Sequence, residues 1–120
     1  MTKELLITAF LVLSILALAH DVPKGKLVSI TGTVVDTGCY VSHDSKGEAH
    51  VKCAEACAKN GVPLAILDEH GMLFMPIAVE HKDQNTKLMP FIEKRVKVTG
   101  TILEKGGLKG IAIKTVEPAP

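Results

Sequence analysis

The sequence predicts an all-β domain with a helical insertion after its first strand. Two observations carry that expectation. Leu27 to Asp36 (LVSITGTVVD) and Val96 to Glu104 (VKVTGTILE) are both β-branched, alternating and interrupted by one glycine, so that Ile30–Asp36 aligns with Val98–Glu104. Between the first of these runs and the next apolar run lies a polar stretch with helical spacing, and it carries His50, Cys53 and Cys57.

The elements follow in order. The first strand is Leu27 to Asp36, and its Gly32 predicts a bulge or a tight bend. Cys39 to Asp44 is read as a loop. A helix is expected over about residues 46–59, because Ser45-Lys46-Gly47-Glu48 has capping-box spacing and Lys59, Asn60-Gly61 and Pro63 mark a C-terminal stop. Leu64 to Asp68 is the second strand, Glu69-His70-Gly71 a turn, and Met72 to Val79 the third strand, where Pro76 implies an edge or a bend. The polar run His81 to Leu88 reads as a short helix stopped near Pro90. Val96 to Glu104 and Leu108 to Val116 are the fourth and fifth strands, joined at Gly106-Gly107. Five strands with a Cys/His-bearing helix between strands 1 and 2 and a short helix between strands 3 and 4 is the order of an OB-like barrel. Another small barrel or sandwich is the alternative.

One such domain fits the length of 120 residues. Ahead of it, Leu5 to Leu18 (LLITAFLVLSILAL) is uncharged, is preceded by Lys3, and ends in the small-x-small pattern Ala17-Leu18-Ala19. This reads as a secretory signal peptide over residues 1–19, too short to span a bilayer, with an uncleaved membrane anchor as the competing reading. Residues 20–26 form a flexible lead-in, 27–117 the domain and 118–120 a tail. Cleavage after Ala19 would place His20 at the N-terminus, where an amine and an imidazole can chelate copper; a linker residue that happens to be His is the plainer explanation. The expected location is periplasmic or secreted, with no membrane span after cleavage.

Composition narrows the function classes. The hydrophobic fraction of 47% excludes an intrinsically disordered chain. A net charge of +1 gives neither a basic nucleic-acid surface nor an acidic tail. Nucleic-acid binding through a barrel also needs stacking aromatics, and beyond residue 19 there are only Tyr40, Phe74 and Phe91, so no nucleic-acid partner is expected. Asp36, Asp44, Glu48 and Asp68 form no recognisable carboxylate pair, and no catalytic residue stands out.

The stretches ITGTVVDTGCY, HVKCAEACAKNGVPLAIL and VKVTGTILEKGGLKGIAIKTVE resemble small exported bacterial proteins with an OB fold. In that group a cysteine follows the first strand and a His-x2-Cys-x3-Cys helix follows the cysteine. The strand portions are similar to OB domains of the tRNA-anticodon type. The resemblance spans nearly all of the chain beyond residue 19. It implies a fold and a site, and no reaction.

The site is the series Cys39-x3-His43-x6-His50-x2-Cys53-x3-Cys57. On one helix, at about 100° per residue, His50, Cys53 and Cys57 share about 60° of arc, with Lys52, Glu55 and Lys59 opposite. Cysteine sulfur and imidazole are ligands for zinc, and soft sulfur favours Cu(I). The expected metal ligands are therefore Cys39, His50, Cys53 and Cys57, with His43 as the alternate, and the cofactor copper or zinc. Without Cys-x-x-Cys-His, covalent haem is excluded. The competing reading is a binding module of the cell envelope, partnered by an unidentified protein, in which Cys39 pairs with Cys53 or Cys57 in a structural disulfide. Cys53 and Cys57 cannot easily pair with each other, because i,i+4 Cβ atoms lie about 6 Å apart and a disulfide needs about 4 Å. A third reading is thiol–disulfide exchange at a spare thiol. Met72, Met75 and Met89 read as core packing, and His70 and His81 as solvated.

Overall fold

A computed structural model describes residues 25–120. The expected signal sequence, and most of the lead-in, lie outside the described residues. The strands are β1 (Leu27–Asp36), β2 (Leu64–Asp68), β3 (Leu73–Pro76), β4 (Arg95–Lys105) and β5 (Leu108–Pro118). They close into a ring in the order β1-β2-β3-β5-β4, with β4 returning to β1. All neighbours are antiparallel except β3 and β5, which touch in parallel at Met75↔Gly110 and Pro76↔Ile111. The fold is thus all-β with helical insertions.

Alternation builds the ring. In β4, buried Val96 and Val98 alternate with exposed Arg95 and Lys97. The same inward set takes Val34, Leu64, Ile66, Ile111 and Ile113 from the other strands. Each such side chain contributes about 1.5–3 kcal/mol when taken from water. Leu88 and Ile92 from the β3–β4 connection join this core, as do Ala54 and Ala58 from the insertion.

The two matched glycines do the same work. A Cβ on Gly32 would strike the Leu67 carbonyl, and one on Gly100 would strike that of Ala112. Gly100 sits at a register shift in the β4–β5 ladder, as a glycine inside a strand predicts. Gly32 serves a close approach instead, where β1 pairs with Asp68 on one side and Val96 on the other.

The helical parts depart from the sequence expectation in three places. The segment expected as a loop after β1 contains a helix, α1 (Thr37–His43). Asp36 starts it by accepting the Cys39 amide, and Asp44 ends it in the left-handed conformation at φ 55°. The expected helix over 46–59 is shorter: Glu48–His50 is a 3₁₀ turn, and α2 covers Val51–Lys59. The Ser45/Glu48 capping box does not form. Gly47 precedes the 3₁₀ turn at φ 101° and donates its amide to Glu93 Oε2 at 2.7 Å. The expected Asn60-Gly61 stop is present, with the Asn60 and Gly61 amides closing onto the last helical carbonyls. The third departure is the run 81–88, of which only α3 (Asn85–Leu88) is α-helical. A 3₁₀ turn, Met89–Phe91, continues it past Leu88. Asp83 accounts for the late start, since its carboxylate accepts the Asn85 amide in a side-chain turn. Among the described residues no helix is long and apolar enough to cross a membrane.

Candidate metal centre

The insertion leaves the ring at Asp36 and returns at Leu64, two residues that face each other across β1 and β2. Its neck is closed by Thr37, whose amide and hydroxyl both donate to the Pro63 carbonyl, at 3.0 and 2.8 Å. Within it, α1 buries no residue and α2 buries only Ala54 and Ala58. The two alanines let α2 approach the ring closely. Cys53 and Cys57 each precede one of them in sequence, so they lie together on the flank of the helix.

Three polar side chains from the ring and its connections pin this insertion. Fully buried Asp36 accepts the Cys39 amide with Oδ1 at 2.8 Å and contacts His50 Nε2 with Oδ2 at 2.6 Å. One carboxylate thus fixes the start of α1 and the residue that leads into α2. As the carboxylate can only accept, Nε2 is the donor. Burial pushes the Asp36 carboxyl up, but the Cys39 amide and the His50 ring outweigh it and hold the group below its usual range. Asn85 accepts the Leu64 amide at 2.9 Å and donates to the Ala58 and Val62 carbonyls at 3.2 and 2.9 Å, securing the end of α2. Glu93 holds the Gly47 amide. None of the three was singled out from the sequence as part of the site. The one available signal was Asp36, three residues before Cys39, the spacing of an N-cap.

The result is a cluster of sulfur. The Sγ atoms of Cys39, Cys53 and Cys57 all lie within 4.8 Å of one another, and all three are free thiols. Cys39 and Cys57 are half-buried and Cys53 is exposed. Zinc with bonds of about 2.3 Å to sulfur places two tetrahedral thiolates about 3.8 Å apart, so small side-chain rotations bring these sulfurs onto one ion. The group is fit to hold a metal. A second group overlaps it: Asp36, Cys39 and His50 also present ligand atoms within 4.8 Å of one another. The structure therefore brings the three expected cysteines together and sets His50 with Asp36 and Cys39. His43 is exposed in the last turn of α1 and belongs to neither group.

Electrostatics in the cluster are one-sided. Burial pushes the Cys39 thiol up to about 12, helped by the Asp36 carboxylate and by the sulfurs of Cys53 and Cys57. Burial also raises the Cys57 thiol; a hydrogen bond with Cys39 opposes this, and Asp36 and Cys53 add to it. Such thiols stay protonated at neutral pH, which is poor preparation for nucleophilic exchange. A bound cation removes the conflict by taking the place of the thiol protons.

The remaining candidates lie elsewhere. Met72, expected in the core, is instead exposed beside the hairpin turn; Met75 is half-buried in β3, and Met89 packs against the core. His70 is exposed beside Glu69 at 3.6 Å. Phe74 and Phe91 pack against the core, and Lys46 Nζ stands 5.7 Å above the Tyr40 ring. No protein-family model, curated protein or solved structure matches the chain.

Proposed function

We propose that this is a small exported metal-binding protein that holds zinc or copper(I) through the thiolates of Cys39, Cys53 and Cys57. The observation that carries this reading is the convergence of three free sulfurs from two separate helices within 4.8 Å. Three thiolates are a complete set for trigonal Cu(I), and with one water they are a set for Zn(II). Cys53, the exposed member, is the face at which metal enters and leaves. The ring order β1-β2-β3-β5-β4 supports assigning the fold as an OB-type barrel. The apolar Leu5–Leu18 run with Ala17-Leu18-Ala19 supports export. The near-balanced charge and the core-packed Phe74 and Phe91 support a role without nucleic acid.

The test is metal uptake by the reduced, untagged protein, followed with Zn(II) and with Cu(I) against a competing chelator. At least one equivalent is expected to bind. Cys53→Ser, at an exposed position, is expected to keep the fold and lose affinity on the order of 100-fold or more. Failure of the reduced wild-type protein to bind either metal ends the proposal. An intact mass lower by about 2 Da before reduction, together with no metal uptake after it, would assign the cysteines to a structural disulfide instead.

A further inference from the structure

We propose that Asp36, Cys39 and His50 form a second zinc site, sharing the Cys39 sulfur with the three-cysteine site, so that the cluster holds two zinc ions. This rests on the reading of the three cysteines as a metal site. It goes beyond that reading in stoichiometry, in ligand set and in metal, since imidazole and carboxylate select zinc over Cu(I).

The geometry carries the proposal. Asp36, Cys39 and His50 offer an oxygen, a sulfur and a nitrogen within 4.8 Å of one another, and Cys39 belongs to both groups. A thiolate has lone pairs enough to bridge two ions. Asp36 uses one oxygen for the Cys39 amide, which leaves Oδ2 for a metal. His50 Nε2 and Asp36 Oδ2 are 2.6 Å apart, a hydrogen-bond distance. Two ligands with bonds of about 2.0–2.1 Å on one tetrahedral zinc lie about 3.3 Å apart. The ion thus takes the place of the shared proton and parts the pair by less than about 1 Å. His50 has room to make that move, because it ends a 3₁₀ turn preceded by Gly47 and its side chain is 14% exposed.

Charge points the same way. Three thiolates and the fully buried Asp36 carboxylate carry four negative charges when the cluster is deprotonated. One Zn(II) leaves two of them without a counter-charge in partly desolvated surroundings, whereas two ions neutralise the cluster. Three thiol protons go to solvent as the ions bind, and the proton between His50 and Asp36 leaves Nε2, the neutral ring keeping one proton on Nδ1 and binding through Nε2. One water completes each coordination sphere.

Zinc counting by native mass spectrometry on the reduced, untagged full chain tests this. The wild-type protein is expected to take two zinc ions. His50→Ala is expected to take one, at an affinity within about tenfold of the first wild-type site. Asp36→Asn is a second probe, because asparagine still caps α1 through its side-chain oxygen yet offers a poor ligand to zinc; it too is expected to take one. Circular dichroism checks that both variants fold. Saturation of the wild type at one zinc, or two ions retained by folded His50→Ala, overturns the second site and leaves the three-cysteine site standing. No zinc at all in the wild type overturns both.

Discussion

The ring and its insertion are held together by different physics. In the ring, strands pair along their length and eight or more aliphatic side chains meet inside it. In the insertion, α1 buries nothing, α2 buries two alanines, and position is set by Asp36, Asn85 and Glu93 acting on backbone amides and carbonyls. A core of aliphatic contacts is strong and non-directional. A few polar contacts are weaker and directional, which is what sulfurs from two helices need if they are to meet. The ring supplies stability, and the insertion spends little of it while placing ligands.

The comparison breaks first at the ring. Ile66 is fully buried in β2, between its partners Val34 and Phe74. Ile66→Ala is expected to cost about 3–4 kcal/mol, read as a parallel loss of midpoint by every probe in denaturant unfolding. If instead the ring survived while only the insertion loosened, the division of labour would be wrong.

The next effect belongs to the junction. Asp36→Ala removes a helix cap, about 1 kcal/mol, and leaves His50 Nε2 without its partner, about 1–2 kcal/mol more. The total, about 2–3 kcal/mol, is expected to fall on residues 37–52 before the ring. Hydrogen exchange is the measurement: amides of α1 and of the 3₁₀ turn should open faster in the metal-free variant, with β4 and β5 protected as in wild type. Uniform acceleration across both regions would show that Asp36 belongs to the ring's own stability.

The same contrast explains what the sequence made legible. Burial in the ring is written as alternation, so β1 and β2 could be placed to the residue and β4 and β5 nearly so. Pro76 marked the third strand as bent, and that strand is in fact cut to Leu73–Pro76. The helix α1 left no such trace. Thr37, Gly38, Cys39 and Val41 are poor helix formers, and no apolar face repeats, because the helix exists through its Asp36 cap rather than through burial. The five Cys and His candidates were visible as residue types. Their partition was not. Projection on a continuous helix put His50 on the sulfur face, but His50 ends a 3₁₀ turn, which advances about 120° per residue instead of about 100°. Asp36 holds the His50 ring at 2.6 Å, so its ligand atom groups with Asp36 and Cys39 and not with all three sulfurs.

The smallest effect tests the third pin. Glu93 accepts the Gly47 amide with Oε2, while Oε1 is buried without a partner, and the residue sits at φ 58°. Burial raises its carboxyl above the usual range, although the Gly47 amide and the His50 ring oppose this. A carboxyl raised in the folded state favours folding while it is protonated, and that contribution is lost as pH rises through its folded value. At neutral pH Glu93 is therefore a charge the fold carries at a cost, kept for the hydrogen bond it makes to the insertion. Glu93→Gln keeps an acceptor for Gly47 and removes the charge. It is expected to raise stability at pH 7, with the gain vanishing in acid, where the wild-type carboxyl is protonated. Paired denaturation curves at pH 7 and in acid decide it: equal stability at both, or a loss at pH 7, would mean that the ionised carboxylate strengthens the hold on Gly47 by more than its burial costs.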